Sequence, residues 1–200
     1  RVDFESVALD GVPLAGLSLV RGRFSNVELS NRDFSRCDLS EAGFESARLS
    51  GAKFDGARLR AANFKQAKAD KASFRGARAK GCFFGEADVR LAHFEGANLD
   101  GASFARADAS SARFDGASLR RARFDRVKAR AASFAGANLT YACLPHADVE
   151  VADFSRADLT RASLHATKDA GAVYLLANTL TVQRTDDALL AAEGFTPPES

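Results

Sequence analysis

The chain lacks several features that would place it in a familiar class. Its 200 residues include no methionine and no tryptophan, and only three cysteines, which show no pairing pattern. No apolar run reaches the roughly 18 residues that suggest a membrane-spanning helix, so no membrane span is expected. No signal-peptide pattern is visible in the sequence, which begins at Arg1. The absence of a glycine-rich phosphate loop and of a His-Glu-x-x-His zinc motif gives catalysis little support, and neither an enzyme nor a cofactor is expected.

What the sequence does have is a period of five residues. From Phe4 to Leu164 every fifth residue is apolar, and these 33 centres comprise 14 Phe, 13 Leu, 4 Ala and 2 Val. The residue two positions before the centre is Ala in 23 of the 33 units. A period of five fits neither an amphipathic helix nor a long alternating strand, and therefore indicates a stacked repeat.

The spacing of phenylalanine predicts how many units close one coil. The centre and the residue two before it point the same way in an extended backbone, and the polar residues after the centre suit a turn. Two units per coil would leave almost no interior, and three would place Phe over Leu. Four units per coil place each Phe directly over another Phe. One such column is formed by Phe24, Phe44, Phe64, Phe84, Phe104 and Phe124. The prediction is an all-β, four-sided parallel solenoid of about 8 coils, roughly 40 Å long.

Several units resemble the pentapeptide-repeat family, whose pattern is Ala-(Asp/Asn)-Leu-x-x. The matching segments are ANLDG (97–101), ANLTY (137–141), ADFSR (152–156) and ADLTR (157–161). The resemblance covers residues 2–166. It implies a right-handed quadrilateral β-helix, which agrees with the coil length predicted from the phenylalanine spacing. We therefore predict a repeat domain over residues 1–166 and a separate C-terminal segment over residues 167–200.

The C-terminal segment is predicted to leave the repeat pattern after Leu164. Ala170–Asn178 is predicted to form a short helix, and Thr179–Gln183 a short strand. Thr185 is a candidate N-cap for a second helix that ends at Gly194. Such a helical cap would cover the apolar end of the rod.

The order of these C-terminal elements resembles that of the topoisomerase-protecting pentapeptide proteins, the Qnr and MfpA types. The resemblance implies that the segment forms a two-fold homodimer. The apolar residues predicted for that contact are Tyr174, Leu175, Leu176, Leu180 and Val182.

Charge is unevenly distributed along a chain whose formal net charge is +2. Residues 47–90 carry 11 Lys and Arg against 4 Asp and Glu, whereas residues 148–200 carry 4 against 9. The four-unit coil would bring basic residues together on one side: Arg58, Arg60, Arg78, Lys80, Arg120 and Arg121. This column is either an ordinary solvated face or a surface for an anionic partner.

Individual departures from the pattern suggest no catalytic or metal centre. Cys37 and Cys82 stand at Ala positions and should be buried free thiols, which favours a reducing cytoplasm, while Cys143 should be more exposed. His146 and His165 lie in stacked units near Cys143, but without the tight ligand spacing of a metal site.

Three functional interpretations remain open. The family resemblance implies a non-catalytic protein that binds a type II topoisomerase such as DNA gyrase, inhibiting it or protecting it from topoisomerase poisons. Duplex DNA mimicry by surface acidity would then involve four residues beside the C-terminal segment: Asp148, Glu150, Asp153 and Asp158. The alternatives are a scaffold for another protein and direct nucleic-acid binding through the basic middle, which is weakened by the few exposed aromatic residues.

Overall fold

The computed structural model describes residue 4 and residues 11–185, and it confirms the four-sided solenoid. Parallel bridges join residues 20 apart in sequence, from Ser18–Asp38 to Ser163–Gln183, so one coil contains 20 residues. Each unit from Ser18 to Gln183 contributes one bridge residue, immediately before its centre. The described residues contain no helix and no strand longer than a single bridge residue. We number the four sides 1 to 4 in chain order, starting with the side that holds Phe24.

Hydrogen bonds between successive coils hold each unit in place. In the unit centred on Phe44, the Phe44 N–H donates to the Asn63 carbonyl at 2.7 Å and the Ser46 N–H donates to the Lys65 carbonyl at 2.9 Å. The Ala47 N–H donates to the Phe44 carbonyl at 3.1 Å and closes a turn at the corner. Five residues are therefore enough for one side and one corner, which is the physical origin of the period.

The corner residue two positions after the centre adopts a left-handed conformation. Glycine accepts this conformation freely, as at Gly76 and Gly96, whose φ angles are +60° and +65°. Many other corners hold Asn, Arg or Ser in the same conformation, for example Asn31 with φ of 59°. The inter-coil hydrogen bond made by the corner N–H helps to hold these residues in a conformation that L-residues otherwise avoid.

Aspartate and asparagine before the centre have a structural function. The N–H of the residue after the centre makes no backbone hydrogen bond in the described coils. The Ser35 N–H donates to the Asp33 carboxylate at 2.8 Å, and the Ser155 N–H donates to Asp153 at the same distance. Hydrogen bonds from Ser35 lower the pKa of Asp33 below its ordinary value. The Asp/Asn preference of the repeat is therefore explained by a local side chain to backbone bond.

The core consists of two columns of stacked phenylalanine rings that meet in the interior. On side 3, the Phe94 ring lies 4.8 Å from Phe74 and 4.9 Å from Phe114, with the planes nearly parallel. Rings on side 1 contact this column edge-to-face, as Phe84 does at 5.6 Å from Phe94. Sides 2 and 4 supply smaller centres, and the Ala residues two positions before the centres are buried beside them. Equal side chains stacked at every coil give a uniform, tightly packed interior.

The three cysteines lie as predicted. Cys37 and Cys82 are buried free thiols, and Cys143 is an exposed free thiol. The Cys82 thiol donates to the Leu59 carbonyl at 2.8 Å, and burial raises the pKa of Cys82 to about 12. The two buried thiols therefore act as small core side chains in place of alanine.

The coils continue beyond the predicted boundary, so the helix predicted over Ala170–Asn178 and the strand predicted over Thr179–Gln183 are wrong. Bridges join Asp153 to Val173 and Asp158 to Asn178, and the Tyr174 ring stacks on Phe154 at 5.1 Å. The centres of this coil are largely polar, so the apolar period no longer reveals it. Thr185 is the last described residue, and the helix predicted to end at Gly194 lies outside the described residues.

The last described coil closes the hydrophobic column with polar side chains. Its centre positions hold Asp169, Tyr174, Thr179 and Arg184 in place of Phe, Leu or Ala. Arg184 forms an ion pair with Asp169 at 2.6 Å, and the Tyr174 hydroxyl donates to Asp169 at 3.0 Å. The Arg184 guanidinium lies 5.4 Å from the centre of the Tyr174 ring. We call Asp169, Tyr174 and Arg184 the closing group, because their polar atoms satisfy one another in the last described coil.

The contacts of the closing group predict that Tyr174 ionises at an unusually high pH. Burial, together with the Asp169 carboxylate, raises the pKa of Tyr174 to about 12. The chain has two tyrosines, so Tyr141→Phe leaves Tyr174 as the sole tyrosine absorbance signal. We expect its tyrosinate absorbance to appear with a midpoint near pH 12. The neutral Tyr174 phenol stabilises the folded protein fully at pH values below the ordinary tyrosine pKa of about 10. This contribution is lost as the pH rises through the pKa of Tyr174 in the folded protein.

The control for this titration is Asp169→Asn in the same single-tyrosine protein, which removes the negative charge and should move the midpoint toward the ordinary value. A Tyr174 midpoint equal to that of unfolded protein would contradict the closing group.

Candidate binding surfaces

The outer surface of the described rod carries no cluster of metal-ligating side chains. Among the described residues no group of three or more His, Cys, Asp or Glu could hold a metal ion. The rings of His146 and His165 meet edge-on with their centres 5.7 Å apart, while Cys143 is exposed. No helix in the described part of the chain is long and apolar enough to cross a membrane. The described rod presents four sides and its last coil to other molecules.

Side 4 carries the basic column that the coil length predicts. The basic side chains on this side are those of Arg58, Arg60, Arg78, Lys80 and Arg120, and Arg121 follows at the next corner. The first four, which we call the basic patch, come from two successive coils. They line a groove of about 510 Å³, with Gly76, Gly96 and Asn98 among its other residues.

The four acidic residues predicted to bind a partner are not brought together on one side. Asp148 and Glu150 lie on side 2, Asp153 on side 3 and Asp158 on side 4. Asp148 and Glu150 both form ion pairs with Arg130. They are spread over three of the four sides in the last coils, so one flat partner surface could contact only some of them.

Asp158 shows how these carboxylates are used within the rod. It accepts a hydrogen bond from the Thr160 N–H at 3.0 Å and from the Thr160 hydroxyl at 2.5 Å. Hydrogen bonds from Thr160 lower the pKa of Asp158 below its ordinary value. Part of the acidity near the C-terminal end therefore satisfies the backbone of the coils.

The five residues predicted to form a dimer contact divide into two groups. Tyr174 and Val182 point into the last coil and pack against the core. Leu175, Leu176 and Leu180 point outward and are 65%, 74% and 94% exposed. Of the five, only these three leucines offer an apolar surface to another molecule, and they lie on sides 3 and 4 and the corner between them.

Sequence reasoning missed a polar network on side 3. The His93 ring Nδ1 lies 3.0 Å from Glu95 Oε1 and 2.8 Å from an Arg75 guanidinium nitrogen. Arg113 extends the network through ion pairs to Glu95 at 3.4 Å and to Asp115 at 3.1 Å. Burial alone would raise the pKa of Glu95, but hydrogen bonds and the basic neighbours lower it. Aligning residues at intervals of one coil would have placed Arg75, Glu95 and Asp115 in one column, beside the column that holds His93 and Arg113.

Four of the exposed apolar residues stand at positions of the repeat that point outward or form a corner. Phe83, Leu91, Tyr141 and Val151 are 39%, 48%, 40% and 55% exposed. Phe83 lies over Gly85, where an added Cβ would meet the ring at 2.5 Å. Phe83 is on side 1 and Leu91 at the corner after side 2, so the two do not form one apolar patch.

Comparison with known protein families identifies the repeat. A family described as "Pentapeptide repeat region" matches residues 1–74, and "Pentapeptide repeats (8 copies)" matches residues 57–96, 90–126 and 132–168. The chain belongs to the pentapeptide-repeat family. A search of curated protein sequences found no significant match.

Solved pentapeptide-repeat structures share the fold. HetL, involved in heterocyst differentiation regulation in the cyanobacterium Nostoc sp. strain PCC 7120, is 24% identical with a TM-score of 0.54, over 84% of this chain and 85% of HetL. Two trypsin-treated forms of QnrB1, a plasmid-mediated fluoroquinolone resistance protein, are 21% and 24% identical with TM-scores of 0.61 and 0.60. Each alignment covers 92% of this chain and 96% of QnrB1. These similarities support a right-handed quadrilateral β-helix.

Proposed function

We propose that this pentapeptide-repeat protein is a non-catalytic, cytoplasmic rod that binds a type II DNA topoisomerase such as DNA gyrase, and that it inhibits the enzyme or protects it from topoisomerase-poison antibiotics. The observation that carries the proposal is the extent of the shared rod. It aligns with nearly the whole of QnrB1, which is described as a fluoroquinolone resistance protein. The sequence resemblance to the Qnr and MfpA types points to the same partner.

The continuity of the coils supports a rod acting as one rigid surface. Coils follow one another from Ser18 to Gln183 without an inserted loop. A partner would therefore meet the flat sides and corners rather than a projecting loop. Topoisomerase channels hold duplex DNA, and the acidic residues on three sides of the last coils would present negative charge to such a channel.

A homodimer is part of the proposal. Leu175, Leu176 and Leu180 are exposed apolar side chains in the last described coil. A two-fold contact would bury them against their own copies, because such a contact places the same patch on both subunits. Two rods joined at this end would place the acidic coils near the centre of the assembly.

The test is a supercoiling assay with purified gyrase, with and without a fluoroquinolone. We expect the full chain to reduce supercoiling or to reduce drug-induced DNA cleavage. Reversal of Asp148, Glu150, Asp153 and Asp158 to Lys should abolish the effect. The matched control reverses Glu28, Asp33, Asp38 and Glu45, because three of these accept the same local N–H bond and the change in net charge is equal. If full-length protein neither inhibits nor protects, a scaffold function for another protein replaces this proposal.

Light scattering at micromolar concentration tests the dimer separately. We expect a dimer for the full chain and a monomer for the variant carrying Leu175→Ser, Leu176→Ser and Leu180→Ser. The control replaces Val12 and Leu17 by Ser at the opposite end, where both side chains are 43% exposed. A full-length monomer would contradict the dimer.

A further inference from the structure

The basic patch on side 4 concentrates four cations within two coils. Arg58 and Arg78 occupy bridge positions one coil apart, and Arg60 and Lys80 occupy the next outward positions of the same two units. Equivalent residues in successive coils are about 4.8 Å apart along the rod. The patch is therefore a compact two-by-two arrangement, and it lies away from the acidic coils near the C-terminal end.

The charges of the basic patch are only partly neutralised within the described structure. Arg58 is 3.7 Å from Asp38, and Arg60 is 3.1 Å from Glu41. Across the described residues, neither Arg78 nor Lys80 has an ion-pair partner. Two acidic residues for four cations leave a local positive charge at the middle of the rod.

The carboxylate beyond the patch is already engaged. Asp100 follows Lys80 one coil later on side 4, and it accepts a hydrogen bond from the Ser118 hydroxyl at 2.6 Å and from the Arg120 N–H at 3.2 Å. No ion pair joins Asp100 to Lys80 in the described structure.

Glycine corners leave the basic patch open to a large ligand. Gly76 and Gly96 lie at the corner before side 4, and Gly81 and Gly101 lie at the corner after it. At all four positions an added Cβ would meet no atom within 4 Å, so no neighbouring side chain closes the groove there. An extended segment can therefore cross the side between two smooth corners.

The corner amides before the basic patch are already engaged. The Gly76 and Gly96 N–H groups donate to carbonyls of the following coil, at 3.0 Å in both cases. The charged donors of the basic patch are three guanidinium groups and one ammonium group, and the N–H groups of Arg60 and Lys80 donate to no backbone carbonyl. Guanidinium groups bind carboxylates or phosphates with paired hydrogen bonds, so the ligand should carry several separated anionic groups.

We propose that the basic patch docks an acidic segment of a partner protein, whose Asp and Glu carboxylates contact Arg58, Arg60, Arg78 and Lys80. The charge layout favours a short acidic segment over a long nucleic acid. Asp38 and Glu41 precede the patch and Asp100 follows it, so carboxylates interrupt the positive charge on both sides of the patch, and Arg120 lies one coil beyond Asp100. Within the described part of side 4, no aromatic ring lies beside the patch on which a base could stack.

The test measures fluorescence anisotropy of a labelled oligo-glutamate peptide titrated with the full chain, at low and at physiological ionic strength. An oligo-glutamine peptide of equal length and a mixed-sequence DNA duplex are the comparison ligands. We expect saturable binding of oligo-glutamate that weakens with salt, and weaker binding of both comparison ligands. Reversal of all four patch cations to Glu should weaken oligo-glutamate binding about tenfold or more.

The matched control reverses four exposed cations on sides 1 and 2 or the corner between them: Lys65, Lys68, Arg106 and Lys128. Both variants change net charge equally, and circular dichroism with thermal unfolding checks that each is folded. The control should bind oligo-glutamate within about twofold of the parent. Equal weakening in the two variants, absence of saturable binding by the parent, or tighter binding of the duplex than of the peptide would each overturn the proposal. The result does not depend on the gyrase assay, which uses different residues and a different ligand.

Discussion

Replacing Phe84 by Ala should destabilise the rod by about 3–5 kcal/mol, whereas the same substitution at its neighbour Phe83 should cost less than about 1 kcal/mol. The two positions are adjacent in sequence but point in opposite directions. Phe84 is fully buried, and Phe83 is 39% exposed. The pair is its own matched control, because the residue removed and the residue introduced are identical.

The physical reason for the large effect at Phe84 is a cavity that its neighbours cannot fill. The Phe84 ring stacks on Phe64 and Phe104, each at 4.8 Å. It also contacts Phe74 and Phe94 edge-to-face at 5.5 and 5.6 Å. Inter-coil hydrogen bonds fix the backbone on both sides of the gap, so little collapse is possible.

Chemical denaturation measures both free energies of unfolding. Phe83→Ala also uncovers Gly85, so a small loss is expected there. Equal losses for the two variants would show that the assignment of inward and outward positions is wrong.

Much of the fold could be predicted because its main interactions repeat. Phe recurs at every tenth residue from Phe24 to Phe134, and this spacing leaves a coil of four units as the arrangement that stacks Phe on Phe around a filled interior. The burial of Cys37 and Cys82 and the exposure of Phe83 follow from position within the unit alone. Where the position of a residue within its five-residue unit decides whether its side chain is buried, the sequence is sufficient to predict burial.

The last described coil could not be predicted in the same way, because polar residues occupy most of the centre positions that are apolar in the other coils. Asp169, Thr179 and Arg184 occupy centre positions, and a search for apolar centres stops before them. Their compatibility with the fold depends on the Arg184–Asp169 ion pair and on the Tyr174 hydroxyl, which are contacts between residues in different units. Only the three-dimensional arrangement shows that these polar residues satisfy one another.

The candidate surfaces were predictable to different degrees. The basic column follows from residues one coil apart, such as Arg58 and Arg78, once the coil length is known. The acidic residues from Asp148 to Asp158 are neighbours in sequence, but five-residue units distribute them over three sides. The network around Glu95 depends on side-chain rotamers and on contacts with adjacent coils, which the repeat pattern does not specify.

Every surface assignment made for this protein depends on a coil of four units, and a pair of internal deletions tests that claim most directly. Removing Ala92–Ser111 deletes four units and joins Leu91 to Ala112. Phe114 then stacks on Phe74 and Phe124 on Phe84, so every column remains in register. Removing Ala92–Arg106 deletes only three units, yet it places Ala109 on Phe74 and Phe114 on Ala79.

The measurement is the free energy of unfolding of the two deletion variants, with circular dichroism to confirm the fold. The four-unit deletion should unfold cooperatively with stability close to that of the parent. The smaller three-unit deletion should lose about 3 kcal/mol or more, because the junction combines a cavity with overpacked rings. Equal stability of the two variants, or greater stability of the three-unit deletion, would contradict the four-sided coil and the surfaces derived from it.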